Sequence, residues 1–149
     1  MAKQLELKIV TPEKVVYDGF VESVSFPTVE GEITILPNHI PIISAIKPGE
    51  LKIKKEGSYE YFSVTKGVIE MDGKMITVLI DAAERAEEID EERAEKARVK
   101  AQELMSKERK DEEGYAEARA QFERALARLK IAKKKSRGRS STHDQFTNE

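Results

Sequence analysis

All five prolines and six of the eight glycines in this chain precede Asp81. Proline removes a backbone donor and glycine opens left-handed conformations, so together they cut a chain into short segments. Between those cuts the apolar residues recur with the period of two that marks β-strands. Beyond Asp81 proline is absent, and the apolar period lengthens to that of a helix. The sequence therefore reads as α+β, mainly β and then α.

The β half is a run of short segments. Leu5, Leu7 and Ile9 alternate with polar residues, and Thr11-Pro12-Glu13-Lys14 ends them as a turn. Val15-Val16-Tyr17 leads to Asp18-Gly19, a favoured tight-turn pair. Val21, Val24 and Phe26 continue the β character to Pro27, and Glu30-Gly31 turns the chain into Ile33-Thr34-Ile35-Leu36. Pro37 and Pro41 bracket Asn38-His39-Ile40, forbid a helix there and exclude a central strand. Leu51, Ile53 and then Tyr59, Tyr61 and Val64 alternate around Glu56-Gly57-Ser58, and Asp72-Gly73 separates the clearest hairpin. Eight to ten strands at this spacing predict an antiparallel β-sandwich, or a flattened barrel, over residues 1–83.

Residues 84–134 predict an antiparallel two-helix hairpin. Asp90 is a good N-cap, and Glu91 and Glu92 suit the helix dipole. Ala94, Ala97, Ala101 and Leu104 form one stripe; Tyr115, Ala118, Phe122, Ala125 and Leu129 form another. The polar stretch 106–113, with Gly114 marking the turn, separates two helices of similar length. A seam made mostly of alanine buries little apolar area, so the hairpin is expected to be marginal alone, as a conformational switch requires. Residues 135–149 read as a disordered basic tail.

Charged residues make up 36% of the chain, yet the net charge is only -2, which argues against a nucleic-acid binder. Without cysteine there are no disulfides or thiolate metal sites. No apolar run reaches the roughly 20 residues that span a bilayer, and the N-terminus shows no secretory signal, so direct membrane insertion is not expected. His39 admits two readings from the residues alone: a base or ligand, or a turn residue satisfied by local hydrogen bonds. Catalysis would need a nucleophile and an oriented partner that the sequence does not offer, so neither catalytic nor metal-binding residues are assigned. Arg93 and Lys100 share one helical face, as do Arg124 and Arg128. Folded back, these cations would suit a polyphosphate.

The order of motifs resembles the epsilon subunit of bacterial and chloroplast-type F-type ATP synthases. Carrying the likeness are Thr11-Pro12 with Val16-Tyr17-Asp18-Gly19, then Gly31-Glu32 through Ile35-Leu36-Pro37-Asn38-His39-Ile40-Pro41. Lys47-Pro48-Gly49-Glu50-Leu51, Gly67-Val68-Ile69-Glu70 and Ile89-Asp90-Glu91-Glu92-Arg93-Ala94 follow in order. Thr34 and Lys66 stand where the family usually has glycine. The resemblance implies a non-catalytic rotor subunit of a proton-translocating synthase, peripheral at the cytoplasmic face of the bacterial plasma membrane. Glu32 and His39 would face the gamma subunit and the c-ring. Glu84, Ile89, Asp90, Arg93, Ala94, Lys100, Arg124 and Arg128 match the family's ATP-binding positions, Lys100 replacing the usual arginine. ATP would be a regulatory ligand and no cofactor is required. With the hairpin extended, Arg119, Arg124, Arg128, Lys130, Lys133 and Lys134 would meet the alpha and beta subunits and block hydrolysis. The rival reading is a chaperone-like or scaffold module with a coiled-coil arm; a nucleic-acid binder using residues 133–139 is a third.

Overall fold

A computed structural model describes residues 3–140, with side chains described through residue 134. The chain divides into two compact units after Arg85.

The first unit is a two-sheet sandwich. Its strands are β1 (Leu5–Val10), β2 (Val15–Val21), β3 (Ser23–Thr28), β4 (Gly31–Ile35), β5 (Ile42–Ile46), β6 (Gly49–Lys55), β7 (Ser58–Val64), β8 (Gly67–Met71), β9 (Met75–Ile80) and β10 (Ala83–Arg85). One sheet has the order β2-β1-β9-β8-β5 and the other β10-β7-β6-β3-β4. All pairs are antiparallel except β1 with β9. The inner faces meet in a core that includes Leu5, Leu7, Ile9, Phe26, Ile53, Phe62, Ile69 and Val78. Alternation along β1 predicts this burial directly, because successive side chains of a strand point to opposite faces.

Two local expectations are corrected. Asp18-Gly19 is no turn: β2 runs through it, pairing Asp18 with Lys8 and Gly19 with Leu7. Burial of Tyr17 and Val21 on the core face holds the strand straight through a dipeptide that favours turning. On β7 the core residues are Phe62 and Val64, while Tyr59 is about half exposed on the opposite face. Thr34, where the family usually has glycine, has a polar role. Its hydroxyl lies 2.7 Å from that of its cross-strand partner, the buried Ser25, so this side chain satisfies a polar group that glycine could not.

The residue 36–41 segment carries the chain from β4 in one sheet to β5 in the other. His39 N–H donates to the Leu36 carbonyl at 3.2 Å, and Asn38 has φ 63°. Proline followed by a left-handed residue is the type II turn pattern.

The second unit begins with a 3-10 turn, Ala86–Glu88, and contains α1 (Glu91–Lys107) and α2 (Glu112–Ser140). Asp90 caps α1: its carboxylate accepts the Arg93 N–H at 3.1 Å. The buried residues of α1 are Ala94 and Ala101; on α2, Ala118, Ala125 and Ala132 are buried at the same seven-residue spacing, and Ile131 is buried next to Ala132. Gly114 is not in the turn but in the first turn of α2, where a Cβ would crowd the Glu108 and Asp111 carboxylates. The helices differ in length, 17 against 29 residues. Residues 135–140, expected to begin the disordered tail, continue α2. Lysine and arginine are good helix formers, and cations suit a helix C-terminus. Residues 141–149 of the expected tail lie outside the described residues.

Candidate functional site

The alanine seam brings α1 and α2 together and leaves a groove of about 320 Å³ beside it. Its lining is Arg93, Ala97 and Lys100 from α1 and Gln121, Arg124, Ala125 and Arg128 from α2. These residues recur at three- and four-residue spacing, so each helix contributes one face. Four of the eight candidate ligand residues meet here.

The electrostatics separate these cations from others on the hairpin. Lys96 pairs with Glu92 at 3.3 Å, Arg119 with Glu123 at 3.2 Å, and Arg98 forks onto Glu95. The Arg98 guanidinium holds the Glu95 carboxyl below its usual range. Among the described residues, Arg93, Lys100 and Arg124 hold no carboxylate. Three guanidinium or ammonium groups without counter-charge therefore line one groove, an arrangement that favours a multiply charged anion.

The other four candidates are placed elsewhere. Ile89 and Ala94 are buried, and Asp90 is engaged as the α1 cap. Glu84 lies in β10, paired with Ser63, and so belongs to the sandwich unit and not to the hairpin where it was expected. Backbone pairing of Ala83, Glu84 and Arg85 with β7 is the reason the first unit extends past residue 83. Of the basic residues expected to act in an extended state, Arg119 is paired, Lys130 is exposed, and Arg128, Lys133 and Lys134 have partners.

On the sandwich, Glu32 and His39 lie toward opposite ends of β4. His39 Nδ1–H donates to the Ile40 carbonyl at 2.7 Å. A carbonyl can only accept, so this bond places a proton on Nδ1. Glu32 makes an ion pair with Lys52 at 3.9 Å. Among the described residues no three histidine, aspartate or glutamate side chains gather as a metal site requires.

A further surface was not foreseen. Across the outer face of the β2-β1-β9-β8-β5 sheet, Val10 is in register with Leu79, Leu79 with Val68, and Val68 with Ala45. Leu79 is 56% and Val68 46% exposed, and Ile43 and Ile40 nearby are 73% and 75% exposed. The sequence signal was the unbroken apolar run Val78-Leu79-Ile80, since a strand apolar on both faces is covered on both faces.

Sequence models of the ATP synthase delta/epsilon chain match both units: the beta-sandwich domain over residues 4–86 and the long alpha-helix domain over residues 87–133. The chain is 43% identical over 129 residues to the ATP synthase epsilon chain of Herpetosiphon aurantiacus, covering 87% of this chain and 94% of that one. It is 41% identical over 131 residues to the epsilon chain of Nitratidesulfovibrio vulgaris, covering 88% and 97%. In fold it is similar to a chain of the Euglena gracilis mitochondrial ATP synthase, with TM-score 0.72, 22% identity and coverage of 87% and 79%. The chain belongs to the epsilon-chain family of F-type ATP synthases. Among the described residues no helix is long and apolar enough to cross a membrane.

Proposed function

We propose that this subunit works in the central stalk as a non-catalytic coupler and regulator. The sandwich joins the gamma subunit to the c-ring, so that ion-driven rotation reaches the catalytic sites. Its exposed apolar row and proline-braced turn support this role, because a stiff surface loses little conformational entropy on docking. The hairpin regulates. Compact and ATP-bound, it permits hydrolysis; extended toward the alpha and beta subunits, its basic second helix inhibits. The complex would hold the subunit peripherally at the cytoplasmic face of the membrane, with ATP a regulator and not a required cofactor.

The observation that carries this reading is the seam of the hairpin. Its heptad-spaced buried residues are alanines, and among the described residues Arg93, Lys100 and Arg124 beside it hold no carboxylate. Little apolar area holds the helices together, and an anion between them adds attraction that only the compact form enjoys. A ligand shifts such a balance by its differential affinity for the two forms.

Truncation after Glu88 tests the division of labour. The shortened subunit should still capture gamma, and ATP hydrolysis by the assembled complex should rise. Loss of gamma capture, or unchanged hydrolysis, would refute it.

A further inference from the structure

Arg85 is a cation on the core face of an edge strand. Among the described residues β10 pairs with β7 alone, and Arg85 stands opposite Phe62 in register, so both side chains leave the sheet on one face. Phe62 is fully buried there, and Ala83, two residues before Arg85, packs against the same core. An aliphatic side chain would serve burial at this place, yet the sandwich holds a guanidinium.

Its contacts cross the open side of the sandwich, where β10 ends one sheet and β2 ends the other. Nη1–H donates to Glu60 Oε2 of β7 at 3.5 Å, and Nη2–H donates to the Val16 carbonyl of β2 at 3.4 Å. The guanidinium carbon lies 5.4 Å from the centre of the Phe62 ring and 5.9 Å from that of Tyr17, and the two rings meet edge to face. A bulge places Val16 for its bond: Ile9 pairs with Tyr17 and Val10 with Val15, which leaves Val16 without a ladder partner on β1. One side chain thus joins both sheets.

Arg85 is also the last residue of the sandwich unit, and Ala86 the first of the hairpin unit. Upstream, the Thr65 N–H donates to the Ala82 carbonyl at 3.1 Å, and the Ala82 N–H donates to the Thr65 hydroxyl at 2.9 Å. Between these two fastenings β10 has three residues on a sheet edge, where local opening is easiest. Without the Arg85 clasp it would peel back to Ala82 and add three residues, about 10 Å, to the link between the units.

We propose that Arg85 is a positioning residue for regulation: it holds β10 in the sheet while the hairpin moves, and so fixes the length of the tether on which the hairpin reaches its partner. This rests on the regulatory reading above. The compact hairpin makes its seam within its own unit and does not feel that length. The extended hairpin binds alpha and beta while the sandwich stays on gamma, and the effective concentration of such a contact falls as a slack tether lengthens.

Arg85→Ala in the full chain should speed amide exchange of residues 83–85 at least about tenfold, with Ala82 and β9 unchanged. In the assembled complex it should capture gamma as the native chain does and inhibit ATP hydrolysis at least about threefold less. Arg85→Lys keeps the charge but cannot fork onto Glu60 and Val16, and should fall between. Three glycines inserted after Arg85 lengthen the tether with the clasp intact: exchange in β10 should stay native and inhibition should drop as in Arg85→Ala. The insertion decides the matter if Arg85→Ala does not fold. Native exchange at 83–85 in Arg85→Ala overturns the clasp. Fast exchange with native inhibition, or an insertion that leaves inhibition native, overturns the tether, while the regulatory reading stands if truncation after Glu88 raises hydrolysis. If that truncation changes nothing, the regulatory reading falls and the tether with it.

Discussion

Gly67 begins β8, facing Ile80 of β9. A Cβ there would collide with the Leu79 carbonyl oxygen and Ile80 Cγ2. Backbone cannot swing aside as a side chain can, so the two strands would have to part. Gly67→Ala is expected to cost about 2–4 kcal/mol, read as a lower denaturant midpoint of the sandwich transition. Gly73, at the other end of β8, is different: φ is 104° and the space around it is open, so its constraint is conformational alone. The neighbouring Asp72 accepts the Met75 N–H at 2.8 Å and the Lys74 N–H at 2.9 Å through Oδ1, and these bonds hold its carboxyl below the ordinary range. A carboxyl depressed in the folded state stabilises above its unfolded pKa and loses that contribution as pH falls through the folded value. The stability gap between the native chain and Asp72→Ala should therefore narrow on acidification from neutral pH into the acid range. A gap independent of pH would show that the turn does not depend on the charged form. Asp72-Gly73 was legible in the sequence as a turn pair. The demand for glycine at position 67 was not, because it arises from the approach of a neighbouring strand.

Elements were legible where one force acted alone. The Leu5-Leu7-Ile9 alternation defines β1, and Asp90 with Glu91 and Glu92 defines the start of α1, because both signals are local. They were misread where tertiary burial opposed local preference. Asp18-Gly19 favours a turn, but core contacts of Tyr17 and Val21 on either side keep β2 extended. Gly114 favours a break, yet it is the residue whose missing Cβ leaves room for Glu108 and Asp111 where α1 gives way to α2. The alanine stripes were visible as helical period, but the close fit between them needed both helices in place. That fit makes Ala101 a sensitive position. Buried to 1% exposure on α1, it leaves little space for a longer side chain. Ala101→Leu should overpack the seam and cost about 1–3 kcal/mol, seen as a lower melting temperature of the helical far-UV signal. The sandwich should melt unchanged. If instead the leucine raised helical stability, the seam would be loosely packed and its alanines would not be what keeps it marginal.

At the scale of the molecule, the two units are held by different means. The sandwich buries Phe26, Phe62 and a set of leucine, isoleucine and valine side chains between two sheets. The hairpin buries alanines at its seam, and Arg93, Lys100 and Arg124 beside it hold no carboxylate among the described residues. The whole-chain division was legible from glycine and proline usage alone, whereas the meeting of Arg93 and Lys100 with Arg124 and Arg128 required knowing how two distant helical faces fold together. Their energetics predict that the chain does not unfold in one step. On heating, helical signal should fall first, while the near-UV signal from the core aromatics persists to a higher temperature. A ligand that binds only the folded hairpin raises the first transition and leaves the second in place. At a hundredfold excess over its dissociation constant that gain is about 2.7 kcal/mol, enough to shift the helical transition by several degrees. Calorimetry with and without ATP measures both transitions at once. A single cooperative transition that moves as a whole would mean that the hairpin has no independent equilibrium to shift, and a regulator built on that equilibrium would have to work by another route.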